Sequence, residues 1–130
     1  MILEELPAKF AKLELEIGAS RGEFALFALF QRSVLRDLWD LLISAPWASA
    51  NKKAALEYMV EKIKADLGPD YLTQLSNIVF IDPSNEALEK FQKAVFVEHG
   101  AVEIRDTNIF GQDIRLAVII TCKQLSPVAA

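Results

Sequence analysis

The sequence predicts an α+β fold: a single domain over residues 1–130, built on one mixed sheet of about five strands with helices packed against it. Three observations predict it. An uncharged apolar stretch, Phe24-Ala25-Leu26-Phe27-Ala28-Leu29-Phe30, is answered by the run from Trp39 to Ala45. Further strand-forming runs recur at 77–82 and 113–122. Between them lie segments with apolar residues three and four apart, the helical period.

The elements follow in order. Residues 8–17 read as a helix, with Pro7 at its first position and Gly18 as its stop. Phe10, Leu13 and Ile17 form one face, and Lys9, Lys12 and Glu16 the other. Residues 23–45 allow two readings. As a long helix over 23–44, the segment would open on a Ser20-Arg21-Gly22-Glu23 capping box, place Asp40 four residues after Arg36 on a wet face, and leave a three-stranded sheet. As a hairpin it gives strands over 23–31 and 39–45, connected through 33–37. The sequence favours the hairpin. Phe24–Phe30 is apolar on every side, as a strand covered on both faces would be, and phenylalanine is a good strand former. Pro46 also forces its predecessor out of helical geometry.

A helix follows over 51–67, opened by Ser49-Ala50-Asn51 and ended by Gly68-Pro69. Residues 70–76 are a short turn or helical piece, and 77–82 a strand. A helix over 84–95 has Ser84 as its candidate cap and buries Leu88, Phe91 and Val95. A C-terminal hairpin pairs 100–106 with 113–122 across a turn at 107–112. Residues 126–130 read as a flexible tail. A helix between the strands at 77–82 and 100–106 predicts a right-handed parallel crossover.

The chain has 130 residues, 52% of them hydrophobic, with a mean hydropathy of +0.23. So apolar a domain is not disordered, and a monomer has more greasy surface than it can readily hide. Self-association, most simply as a homodimer, is the expectation. The net charge of −4 disfavours general nucleic-acid binding, and Asn51-Lys52-Lys53 is too short to reverse that. No stretch reaches the roughly 18 apolar residues of a membrane span. Met1-Ile2-Leu3-Glu4-Glu5 carries acid where a signal peptide needs basic residues, so a cytoplasmic location is expected. The single cysteine, Cys122, lies in an apolar run and reads as a buried, inert thiol.

Acid–base chemistry has few carriers. His99 is the one histidine, beside Glu98, and imidazole titrates near neutrality. Asp82 ends a strand, where ligand sites collect in sheets with parallel connections, but it equally suits the cap of the following helix. Asp40, on the hairpin reading, is a charge inside an apolar strand, and such a charge needs a partner or a function. These four residues are the candidate catalytic set. Glu103-Ile104-Arg105, with Asp40 or Asp82, distantly echoes metal-dependent nucleases of the restriction-endonuclease kind. It departs where an arginine stands for the lysine that would activate water. Cross-strand ion pairs of Arg105 or Asp106 with Asp113 or Arg115 explain the same residues. Trp47, after Pro46, and Phe110, in the connecting turn, are candidates for a pocket or an interface. No metal-ligand spacing, phosphate loop or dinucleotide fingerprint is present, so no cofactor is expected.

The reading that follows is a protein that works by binding, with itself or with a protein partner, and without membrane or nucleic acid. The alternative is a small hydrolase-type enzyme using the carboxylates and the histidine near strand ends.

Overall fold

The computed structural model describes residues 5–33 and 38–125. Helix α1 (Glu5–Arg21) leads into strands β1 (Leu26–Arg32) and β2 (Trp39–Ser44). Helices α2 (Pro46–Ala50), α3 (Lys52–Asp66) and α4 (Pro69–Thr73) then carry the chain to β3 (Leu75–Phe80). Helix α5 (Glu86–Ala94) precedes the closing hairpin, β4 (Val102–Ile109) and β5 (Gln112–Cys122). Among the described residues, no helix is long and apolar enough to cross a membrane.

The five strands form one mixed sheet in the order β3-β2-β1-β5-β4. Strand β1 pairs antiparallel with both β2 and β5, and β2 pairs parallel with β3. The 23–45 region is therefore the hairpin. Alternate residues of its strands go to opposite faces. Phe27, Leu29, Leu41 and Ile43 join the core under α1–α4, while Leu26, Ala28, Phe30 and Leu42 join the core under α5. Each fully buried Phe or Leu in these layers contributes about 1.5–3 kcal/mol.

Coverage of the two faces is uneven. Four helices pack on one face, but the nine residues of α5 are the helix on the other. Helix α5 is anchored by Leu88 and by Gln92, whose buried amide donates to the carbonyls of Ala25 (3.1 Å) and Lys123 (2.9 Å). The amide thus stitches the helix to the ends of β1 and β5.

Several expectations are corrected. Helix α1 does not stop at Gly18 but runs to Arg21, because its buried stripe of Leu6, Phe10, Leu13 and Ile17 holds the preceding turns on the sheet. Ser20 is consequently helical and caps nothing. Gly22 ends the helix with φ 128° and bonds back to the Gly18 carbonyl at 3.1 Å. Pro46 opens α2 at its first turn, where its missing N–H costs nothing. Asn51 caps α3 as expected, accepting from the Ala54 amide at 3.1 Å. The cap of α5 is Asn85 rather than Ser84; its side chain accepts from the amides of Ala87 and Leu88. The six-residue turn shrinks to Phe110-Gly111, both at positive φ (54° and 78°), the conformation of a two-residue hairpin that follows strand twist.

The crossover expectation also fails. Strands β3 and β4 occupy opposite edges of the sheet and run in opposite senses, so α5 passes from one edge to the other. The parallel connection is instead β2 to β3, through α2, α3 and α4. Of the expected hairpin connection at 33–37, residues 34–37, with Arg36, lie outside the described residues, as does the expected tail at 126–130.

Candidate functional site: a cleft under the sheet's thinly covered face

On the α5 face, β1, β2 and β3 set Arg32, Asp40 and Asn77 side by side. Phe30 is the register partner of Asp40 across the β1–β2 ladder, and Asn77 is its partner across the parallel ladder. Arg32 follows Phe30 on the same face two residues on. The Arg32 Nε lies 2.8 Å from Asp40 Oδ2 in an ion pair, and the Asn77 amide donates to Asp40 Oδ1 at 3.2 Å. The Asp40 side chain is 9% exposed and that of Arg32 22%. The sequence marked Asp40 as a charge in need of a partner; Arg32 and Asn77 are the partners.

These groups open onto a cavity of about 530 Å³. Phe30, Leu42, Val79 and Ile81 give it apolar walls, Asn85 and Ala87 bring the start of α5, and Phe110, Gly111 and Gln112 bring the β4–β5 turn. Phe110 is held there by stacking on Phe30 (centroids 6.1 Å apart) and by a tilted contact with Phe91 (5.4 Å). Its left-handed backbone therefore serves both the turn and the wall of the cleft. A second apolar groove of about 440 Å³, between α5 and β4, shares Ala87 and Phe110 with the first and is lined further by Phe91, Val95 and Ile104.

A buried ion pair is a poor stabiliser, since desolvation of both charges offsets their attraction. Fixed polar groups set among apolar walls are the usual composition of a small-molecule site. The Arg32 contact to Asp40 is through Nε, and among the described residues the two terminal nitrogens have no other acceptor.

The other candidate residues lie elsewhere, each with its own partners. Asp82 is exposed and accepts from the Ser84 amide (2.9 Å) and hydroxyl (2.7 Å). Those bonds hold its carboxyl below the ordinary range, so it organises the approach to α5. Glu98 pairs with Lys123, which also bonds Glu23 at 2.8 Å. His99, at φ 53°, places Nδ1 2.9 Å from Oε1 of Glu14. Thr121 donates to the other Glu14 oxygen at 3.0 Å and accepts from the His99 amide at 3.2 Å. Asp40 thus shares the cleft with none of Asp82, Glu98 or His99.

The nuclease echo is not assembled. Asp40 is on β2 and Glu103 and Arg105 on edge strand β4, with β1 and β5 between them. Nor do the expected cross-strand ion pairs form. Arg105 bonds Glu103 on its own strand (2.9 Å), Asn108 donates to Asp113 (3.2 Å), and Arg115 reaches Gln31 (3.4 Å). Trp47 packs edge-on against Phe24 and Tyr58 on the helical face, away from the cleft. Cys122 is buried, and burial pushes its thiol up to about 11.

Sequence reasoning missed Arg32, Asn77 and Glu14 as site residues. Glu14 had a signal: it falls four residues after Phe10 and three before Ile17, inside the apolar stripe of α1. Arg32 and Asn77 had none without the strand register. Compared with known protein families, curated proteins and solved structures, the chain matches none.

Proposed function

We propose that this protein is a binding module whose α5-face cleft receives a small ligand. One observation carries the reading: a buried carboxylate in an apolar sheet face, paired with a partly exposed arginine, opens onto a cavity of small-molecule size. Apolar side chains in its place would serve stability as well or better, so its use is recognition. The test is a titration of isotope-labelled protein with N-phenylnaphthylamine, a neutral apolar probe, followed by amide chemical shifts. Saturable shifts centred on Phe30, Leu42, Val79 and Phe110 support the cleft. Shifts centred elsewhere, or none, overturn it.

We further infer that the module works as a homodimer. Val102 (43% exposed) lies on the edge strand β4, and Phe96 (71% exposed) lies in the segment between α5 and that strand. An antiparallel pairing of two β4 edges about Ile104 sets Glu103 against Arg105 of the second copy, and the reverse, which favours that register. The left-handed φ of Asp106 (49°) keeps the ladder short. Light scattering tests this. The wild type should be dimeric, Glu103→Arg should be weakened, and Glu103→Arg with Arg105→Glu should be restored. A monomeric wild type ends the reading. The net charge of −4 argues against a nucleic-acid partner, and the buried free thiol of Cys122 suits the reducing cytoplasm.

A further inference from the structure

We propose that the ligand of the cleft is an amphipathic small molecule carrying one oxyanion, with the anion at Arg32 and the apolar body against Phe30, Leu42, Val79 and Phe110. This rests on the reading of the cleft as a ligand site and names the chemistry of its occupant.

The argument is one of polarity and direction. Asp40 sits deeper in the sheet than Arg32, 9% against 22% exposed, so the pair presents its cationic end to the cavity. Because Asp40 holds the guanidinium through Nε, the orientation of that planar group is set in advance, and its terminal N–H groups form a fork suited to a carboxylate, sulfonate or phosphate. A fork fixed before binding loses less side-chain freedom when an anion arrives.

The other polar groups at the cleft do not compete for that role. Asn77 spends its amide nitrogen on Asp40 and on Ser76 (3.3 Å), which leaves its carbonyl to offer. Asn85 occupies the first free amides of α5 with its own side chain, so the helix end is not the anion subsite. Glu86, in the first turn of α5, is exposed to solvent, where its charge is screened. Gln112, at the β4–β5 turn, is a neutral amide; the rest of the wall is mainly aliphatic and aromatic, and it rewards an apolar body in proportion to the area covered.

Two probes of nearly the same shape separate the anion from the apolar body: anilinonaphthalenesulfonate, and N-phenylnaphthylamine, which lacks the sulfonate. Both are followed by fluorescence titration of the full chain, with near-ultraviolet circular dichroism checking that each variant keeps its packing. The wild type should bind the sulfonate at one site, about tenfold more tightly than the neutral amine, the scale of one charge-assisted contact. Arg32→Gln combined with Asp40→Asn replaces the ion pair by two amides and leaves no lone buried charge. It should erase the preference, read as the ratio of the two affinities measured on the same variant, so that any general change in the cleft cancels. Equal affinities in the wild type, or a preference that survives in the double variant, would overturn the anion assignment while the cleft stands. Val79→Trp, at the edge strand, fills the cavity without entering the main core and should weaken both probes. If neither probe binds, or Val79→Trp changes nothing, the cleft reading itself falls and the assignment with it.

Discussion

Glu14 of α1 and His99, in the loop after α5, meet at 2.9 Å although helix and loop are far apart in the chain. The Glu14 carboxyl is fully buried, hydrogen-bonded to His99 Nδ1 on one oxygen and accepting from the Thr121 hydroxyl on the other. A buried carboxyl that loses one of its two partners keeps a desolvated oxygen without compensation. His99→Gly keeps the left-handed backbone without strain, so its loss reports the side chain. Urea denaturation should show a destabilisation of about 1–3 kcal/mol. Adding Glu14→Leu should recover most of it, because the orphaned charge goes too. A double variant as unstable as the single one would show that the pair is not coupled.

The Lys123 cluster sets an acid limb. The bond from Lys123, reinforced by its charge, holds the Glu98 carboxyl below its ordinary 4.5. The folded state therefore binds this proton less readily than the unfolded chain. The stabilisation is complete above the ordinary value and disappears as pH falls through the lowered one. Melting temperatures between about pH 6 and pH 3 should show the gap between wild type and Glu98→Gln closing as acid is added. A gap that widens would reverse the sign. Burial works against the Lys123 charge, but the bonds from Glu23 and Glu98 outweigh it, and the amine lies above its ordinary 10.5.

Cys122 should be chemically silent in the native protein. Burial lifts its thiol to about 11, so at about pH 8 almost no thiolate forms, and the sulfur has no exposure. An aromatic disulfide reagent should react slowly with folded protein and at once, in full, after denaturation. Fast native labelling would place the thiol at the surface.

Gln92 is the stitch between α5 and the sheet. Gln92→Ala takes the side-chain donor from the Lys123 carbonyl, leaves the Ala25 carbonyl with the Lys123 amide alone (3.0 Å), and removes a buried stem. The expected loss is about 1–3 kcal/mol by chemical denaturation. Amide hydrogen exchange in α5 should accelerate more than in α3, because the contact serves one helix. Uniform acceleration would mean that α5 opens only with the whole domain.

How much of this was legible follows from the range of the interactions. The hairpin at 23–45 could be read because Phe24–Phe30 is apolar on both faces, a local property. The helices could be read from spacing, and their ends slipped where tertiary packing overrode a stop, as at Gly18. Strand order could not be read. Nothing near 77–82 or 100–106 states that these strands take opposite edges, since each chooses its neighbour by contacts remote in sequence. The site shows the same division. Asp40 announced itself as a charge out of place, but Arg32 and Asn77 come from two other strands, and only the register joins them.

The parallel join between β2 and β3 has a consequence for the order in which the chain assembles. Strands β4 and β5 need close only the Phe110-Gly111 turn, whereas β3 must wait for the whole passage from Ala45 to Gln74 to be brought round. Closing the longer loop forfeits more chain entropy before any contact repays it. Asn77 therefore reaches Asp40 late. The cleft, which needs β1, β2 and β3 in register, is expected to be among the last parts of the molecule to form.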